Sequence, residues 1–467
     1  MKYRIIGLFF LSLIIVLSSL KFGIFWDSVL FVSKMGNPLF EYGIFHWGAI
    51  PVESDPGHPP FLASIMALGW KLFGRSLWVS HLMMWPFVFG LLWQIYVFVS
   101  FFVKDKKLQL WAYLLVISDA TLLSQLVLVN FEIIQLFFFF LALNAILKNN
   151  RALKIMALAF LGIVSLRAMM LFAGLFLIDL FLALYYNKFR LKAGLLRNLL
   201  LDYALAAIPA ISYLLWRLIA KGWIISNPTE SWGNAWAFTS FLDFFKNLVR
   251  NFIVLGHQIT DFGRLVPVLF VLIALFIKRK TINWRNITPV LIIILFSSIF
   301  IAIASLLIKN TMGHRYYIQL YLGINLLAFL LLQEFRARKL IYIALLSSIL
   351  LGNLIVYPDS FAQGWDASLA HIPYWNLRQK AIKYLDEKQI PLSETASFFP
   401  NNTSIDDVDL NGDRRSFKQF TGKEKYVFYS NVYNLSDDEL EVLKRNYRII
   451  KTFRKGSIRV EVMQRKI

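Results

Sequence analysis

The chain of 467 residues is 58% hydrophobic and 16% aromatic, with 43 Phe and only 16% charged residues. Soluble proteins carry about a quarter charged residues, so an ordinary soluble fold is excluded. The net charge of +21 does not point to nucleic acid: residues 359–467 hold 18 Lys and Arg against 15 Asp and Glu, and the remaining excess lies in short loops between apolar runs, where it marks topology.

Cysteine is absent, which removes disulfides and thiolate metal sites and says little about compartment. The first apolar run, Ile5–Leu20, follows Lys2 and Arg4 in the manner of a signal peptide. Leu20-Lys21-Phe22-Gly23-Ile24-Phe25 offers no small-x-small cleavage site, so the run reads as a retained first span, roughly 4–21. Further spans are expected at roughly 82–103, 108–127, 131–147, 154–167, 169–186, 199–219, 264–279, 287–308, 316–334 and 339–357, each long enough or nearly so for a ~30 Å hydrocarbon core. Basic clusters lie at Lys104, Lys106 and Lys107; at Lys148, Arg151 and Lys154; at Lys188, Arg190, Lys192 and Arg197; at Lys278, Arg279, Lys280 and Arg285; and at Arg336, Arg338 and Lys339. With the N-terminus cytoplasmic, all five clusters fall inside, and an odd count of about eleven spans leaves the C-terminal end outside.

The expected fold is therefore a polytopic α-helical membrane protein. Residues 1–358 form its transmembrane domain, and residues 359–467 a small external, periplasmic α/β domain with helix-like stretches at Leu377–Lys388 and Ser436–Asn446. Strand-like runs there are Tyr426–Tyr429, Arg448–Phe453 and Ser457–Val462. No internal repeat is evident, which disfavours an inverted-repeat transporter.

Chemistry then falls on the external face. In the first loop, 22–81, Ser28–Phe45 and Phe61–Phe73 have the periodicity of helices lying in the interface, and Trp26, Trp47, Trp70 and Trp78 suit an aromatic belt. The Trp-rich loop 220–263, with Trp223, Trp232 and Trp236, is a further place for an interfacial helix. Asp27, at the outer end of the first span, is either a simple helix-end carboxylate or a general base for an acceptor hydroxyl or amine. In Glu53-Ser54-Asp55-Pro56-Gly57-His58-Pro59-Pro60 the prolines enforce extended backbone and hold His58 rigidly; the bland alternative is a turn. Glu53, Asp55, His46 and His58 are donor types that a divalent metal takes, although their spacing matches no metal motif.

Asp119 and Glu132 are acids at the outer ends of spans, where charge is costly. Glu132, in Asn130-Phe131-Glu132, is the better candidate, with helix capping as its structural alternative. Arg167, Lys309, His314 and Arg315 are cations on the outer side, which the positive-inside rule does not explain. One of them alone would be a snorkelling anchor, but as a set they suit a lipid phosphate, which Arg clamps in a bidentate fashion.

Carboxylates and phosphate-binding cations on one membrane face point to a lipid-phosphate-linked substrate, with a polyprenyl-phosphate sugar the natural donor. Its phosphate leaves without an acid, Arg and His need only stabilise the developing charge, and one carboxylate activates the acceptor for an inverting attack.

Asp27-Ser28, His58-Pro59-Pro60-Phe61 and Leu68-Gly69-Trp70-Lys71-Leu72-Phe73-Gly74 resemble the first external loop of GT-C glycosyltransferases, in particular the protein O-mannosyltransferase and aminoarabinose lipid A transferase group. Arg167 falls where that group tends to have a basic residue after its fifth span, and Arg315-Tyr316-Tyr317 resembles its late Arg-Tyr motif. The resemblance implies a GT-C fold with Asp27 as catalytic base, its strongest carry-over, followed by Glu132 and Arg315. Taken with the residues read above, it leaves His58, Glu53, Asp55, Arg167, His314, Arg315 and Tyr316 as the expected substrate contacts, beside Asp27 and Glu132 as catalytic residues. It implies a dolichyl- or undecaprenyl-type donor and a lipid, glycan or protein acceptor, in a multi-pass plasma (inner) membrane protein. Two positions depart from the pattern: Ser28 replaces a second acid, and His58 replaces a lysine. The competing class, a transporter or lipid flippase, needs polar groups and broken helices at the bilayer midplane, where these spans are almost wholly apolar.

Overall fold

The computed structural model describes residues 2–190, 192–225, 237–309, 313–361, 364 and 366–466; Trp232 and Trp236 lie outside the described residues. The chain enters as α1 (Lys2–Ser19). Residues 28–42 then wind as one stretch, a π-helical turn (Val29–Lys34) running into α2 (Met35–Tyr42), and α3 (Phe61–Phe73) follows. These are the two helices expected in the first loop. Trp70 is not part of an interfacial belt: it is 1% exposed, packed against Gly36 of α2 and donating from its indole to Ser80 Oγ at 2.9 Å.

The bundle continues with α4 (Leu77–Phe102), α5 (Lys106–Ile117), α6 (Ala120–Gln125), α7 (Phe131–Leu147), α8 (Arg151–Val164), α9 (Leu166–Tyr186) and α10 (Ala193–Lys221). It closes with α11 (Phe241–Thr260), α12 (Leu265–Ile277), α13 (Trp284–Ser297), α14 (Ile299–Leu307), a 3₁₀ turn (His314–Tyr317) leading into α15 (Ile318–Leu332), and α16 (Arg338–Gly352). Every expected span falls on one of these helices or on a consecutive pair. Five are long and apolar enough to cross a membrane, namely α4, α9, α10, α13–α14 and the turn plus α15; a bent pair, α11–α12, makes a sixth. α1 and α7 are apolar but shorter.

In the 220–263 loop, where an interfacial helix is expected, the chain forms α11. Phe241, Phe245, Val249, Phe252 and Ile253 are exposed, while Asn247, Asn251 and Gln258 are buried. Asn251 donates to the Ser305 and Ile308 carbonyls at 2.9 and 2.7 Å. Lys246, Arg250 and His257 are exposed on the same helix, so its outward surface mixes aromatic and aliphatic residues with cations. The chain then turns by 91° into α12, through two left-handed residues, Phe262 (φ 47°) and Gly263 (φ 82°). This corner lies directly on the α16 backbone: a Cβ on Gly352 would sit 1.9 Å from the Phe262 carbonyl oxygen, and one on Gly263 2.0 Å from that of Ser348. Backbone cannot yield as a side-chain tip does, so Gly352→Ala is expected to destabilise the protein by about 3 kcal/mol. A detergent melt indistinguishable from wild type would refute that packing.

The C-terminal region contains α17 (Pro373–Glu387), β1 (Thr395–Ser397), α18 (Ile405–Asp409), β2 (Lys418–Gln419), β3 (Tyr426–Ser430), α19 (Asp437–Asn446), β4 (Tyr447–Lys455) and β5 (Ile458–Arg465). The sheet order is β2-β1-β3-β5-β4, with β1 parallel to β2 and β3 and the other pairs antiparallel. Of the three helices, α17 and α19 match the sequence expectation, as do the three longer strands, while α18 was not expected. β1 and β2 are too short for an alternating pattern to show. This region rests on the first loop: Ile24 N donates to the Val408 carbonyl at 2.7 Å, Arg75 pairs with Asp406 at 2.8 Å, and Trp375 covers Gly23 so closely that a Cβ there would lie 2.6 Å from the ring.

Candidate functional site

Four separate segments deliver charged side chains to one place. Asp27 stands where the chain leaves α1 and turns into the π-helical stretch, with its backbone carbonyl accepting from Leu30 N at 2.9 Å. Glu132 lies in the first turn of α7; Asn130, not Glu132, caps that helix, accepting from Phe131 N at 2.9 Å. Arg167 lies in the first turn of α9, started by Ser165, whose Oγ accepts from Ala168 N at 3.0 Å and donates to Gln135 at 2.9 Å. Arg315 comes from the 3₁₀ turn before α15.

Arg315 is the hub. Its guanidinium binds Asp27 Oδ2, lies 3.0 Å from Glu132 Oε1 and donates to Asp366 Oδ2 at 2.7 Å. Arg167 reaches the same Glu132 oxygen at 3.3 Å and lies flat on the Tyr316 ring, 3.8 Å from its centroid, with Phe131 at 5.0 Å on another side. Glu132 is 1% exposed and Arg315 7%, but the Asp27 side chain is 34% exposed. Ser28, fully buried, does not supply the missing second acid.

The contacts to Glu132 are close enough for ion pairs but not aligned as hydrogen bonds. Among the described residues, both Glu132 oxygens, Arg167 Nη1 and Arg315 Nε are buried without a hydrogen-bond partner. Buried polar groups are normally paired, so this cluster has hydrogen-bonding capacity that the chain itself does not use.

His58 packs between Phe31 and Phe131, ring centroids 5.2 and 5.3 Å away. Its Nδ1 accepts from Leu166 N at 3.2 Å, which fixes the Nε2–H tautomer. Burial above all, and then the guanidiniums of Arg167, Arg217 and Arg315, hold the imidazole well below its ordinary range. The ring ties the first loop to the start of α9, in surroundings that disfavour its charged form.

The remaining sequence candidates make other contacts. Asp55 accepts from Arg217 at 2.5 Å and from Gly57 N at 3.0 Å, while Arg217 also donates to the Gly57 carbonyl and lies 3.8 Å from the Trp223 ring centroid; this clamps the proline-bounded loop onto α10. Glu53 and His46 are exposed. His314 turns away from its neighbour and binds Asp261 at 2.7 Å, within a second network. There Arg264 grips fully buried Asp119 at 2.8 and 2.9 Å, and Tyr357 donates to Asp261. Among the described residues, no group of three His, Asp or Glu is placed to hold a metal, so the divalent site suggested by His46, Glu53, Asp55 and His58 does not form.

Asp366, Asp261, Arg264 and Arg217 were not singled out from the sequence. Asp366 follows the last span closely, inside a region read as a separate domain; an acid so near a span end was the available signal. It is held by Gln125, whose Nε2 donates to its carbonyl at 3.1 Å, and the next residue accepts from Thr121 Oγ1 at 3.1 Å. Close by, burial pushes His371 down to about 4, partly offset by the Ser368 carbonyl and Asp366. A folded-state value below the unfolded 6.5 means that its stabilisation is complete above pH 6.5 and is lost as pH falls towards 4. His371→Gln should therefore flatten the acid limb of a pH–melting curve between pH 6.5 and 4; an unchanged limb would refute the assignment.

No family model and no curated protein matches the chain. Two solved structures are similar to it in part. One is ArnT from Cupriavidus metallidurans bound to undecaprenyl phosphate, at 14% identity and a TM-score of 0.49, covering 72% of this chain and 61% of that one. The other is ArnT from the same organism in the apo state, at 15% identity and a TM-score of 0.48, covering 73% and 61%. The chain thus spans about three fifths of the length of those solved chains.

Proposed function

We propose that this protein is a GT-C-type membrane glycosyltransferase, which moves a sugar from a polyprenyl-phosphate-linked donor to a lipid, glycan or protein acceptor with inversion. The observation that carries this reading is the meeting of a part-exposed carboxylate, Asp27, with two guanidiniums, Arg167 and Arg315, whose hydrogen-bonding capacity is not filled by the chain. Asp27 takes the proton of the acceptor hydroxyl or amine as that atom bonds to the anomeric carbon. The bond from that carbon to the donor phosphate oxygen breaks, and its electron pair leaves on the phosphate, where Arg315 and Arg167 receive the negative charge. Glu132 keeps the two guanidiniums facing one point, and Tyr316 keeps Arg167 flat.

In this reading the site faces outward and the basic loops face the cytoplasm, with residues 359–467 external. The alternation of basic loops with acid-bearing ends along the chain supports that orientation. Asp366 then makes the C-terminal region part of the site, not an appendage to it.

The test uses the full-length protein in detergent with a panel of radiolabelled polyprenyl-phosphate sugars and crude cell-envelope acceptor. Release of free polyprenyl phosphate with one donor is the expected result. If every donor stays intact with acceptor present, the reading fails, and lipid flipping in liposomes becomes the next measurement.

A further inference from the structure

At the opposite end of the bundle, a cavity of about 740 Å³ opens between α1, α4, α5 and α7. Its volume is that of a small-molecule site. Four cations line it: Arg4, Lys104, Lys106 and Lys148. Arg4 is held by neutral acceptors, Tyr96 Oη, Gln109 Oε1 at 2.6 Å and the Lys106 carbonyl at 2.9 Å. Lys104 lies 4.9 Å from the Phe101 ring centroid. The wall between the cations is apolar, formed by Trp93, Val97, Phe101 and Leu141. Loop cations alone follow from membrane topology; a ring of them around an apolar-walled cavity does not.

Asn144, 3% exposed, lines the same cavity. Its Nδ2 donates to the Gln94 carbonyl and Oε1 at 2.8 and 2.9 Å, which fixes the amide orientation. Its Oδ1 is then buried without a partner among the described residues. The cavity thus offers positive charge for a phosphate, one acceptor for a hydroxyl, and an apolar wall for acyl methylenes.

We infer that this cavity binds an anionic phospholipid with a hydroxylated headgroup, taken from the leaflet on the basic side of the protein. The phosphodiester lies among Arg4, Lys104 and Lys148, a headgroup hydroxyl donates to Asn144, and the acyl chain lies along Trp93 and Leu141. Basic pockets between spans on the cytoplasmic side are suited to such headgroups. The lipid ties α1 to the α4–α5 and α7–α8 loops, far along the helices from Arg315, and the inference does not depend on the proposed transferase reaction.

The test is native mass spectrometry of the full-length protein in detergent, titrated with phosphatidylglycerol, phosphatidylcholine and inorganic phosphate. Phosphatidylglycerol should be retained and should raise the melting temperature, with phosphatidylcholine and millimolar phosphate doing neither. Each cation near an anionic lipid contributes about fivefold, so Arg4→Gln, Lys104→Gln and Lys148→Gln together should weaken retention on the order of a hundredfold. Equal retention of both lipids by the wild type, or unchanged phosphatidylglycerol binding by the triple variant, overturns the inference. Stabilisation by free phosphate alone overturns it in favour of a soluble anion site. If the triple variant does not fold, a photoreactive phosphatidylglycerol on the wild type decides: labelling within residues 93–109 and 141–153 supports the site, and labelling elsewhere refutes it.

Discussion

Asp27→Asn is expected to lower sugar transfer by about 10²–10⁴-fold, the usual contribution of a positioned general base, while leaving donor binding nearly intact. Of the three acids around Arg315, Asp27 alone has substantial side-chain exposure, 34% against 1% for Glu132 and 10% for Asp366. An acceptor arriving from water therefore meets Asp27 first. Asparagine keeps an oxygen for Arg315 and removes only the basicity. A part-exposed pair of this kind contributes about 1 kcal/mol or less, so the melting temperature should barely move. The measurement is single-turnover transfer with donor affinity determined in parallel. Turnover at the wild-type rate would remove Asp27 as the base, and equal losses in donor affinity and rate would recast it as a binding residue.

What was legible in the sequence and what was not divide along a physical line. Helices declared themselves because lipid demands long apolar runs, whereas α11 was expected only because its loop is rich in Trp. Asp27, Glu132, Arg167 and Arg315 were legible because each is a charge at the end of an apolar run, where solvation is poor and an isolated charge is costly. Their meeting was not legible, since it depends on how four segments far apart in the chain fold together. The same dependence hid Asp366, which entered the site from beyond the expected domain boundary. It also misdirected the reading of Asp55 and His314. A local cluster of titratable residues in a rigid loop reads as a site, but here Asp55 is used by Arg217 to hold the loop and His314 by Asp261 to anchor the turn. The surroundings of His58 were hidden for a related reason: its burial, and the three guanidiniums near it, which together disfavour the charged imidazole, come from segments far apart in the chain.

Arg264→Met should produce the largest loss of stability of any single substitution in the site region, about 3–5 kcal/mol. It strips a fully buried carboxylate, Asp119, of both its guanidinium bonds at 2.8 and 2.9 Å. The effect is one of an abandoned charge, so it is reversible by design. Adding Asp119→Asn removes that charge yet keeps the acceptor that caps α6, where Oδ1 receives Thr121 N and Leu122 N at 3.0 and 3.1 Å. The double variant should recover most of the lost stability. If it melts as low as the single variant, the loss comes from the packing of Arg264 on the Tyr321 ring, 3.7 Å from the centroid, and the ion-pair account fails. Activity separates this network from the site itself. Arg264 shares Asp261 with His314, the residue before Arg315, so it acts on transfer only by holding that turn. Recovered stability should therefore bring recovered turnover, whereas Arg315→Met should stay inactive however well it is stabilised, because in the proposed reaction it removes the charge that receives the departing phosphate.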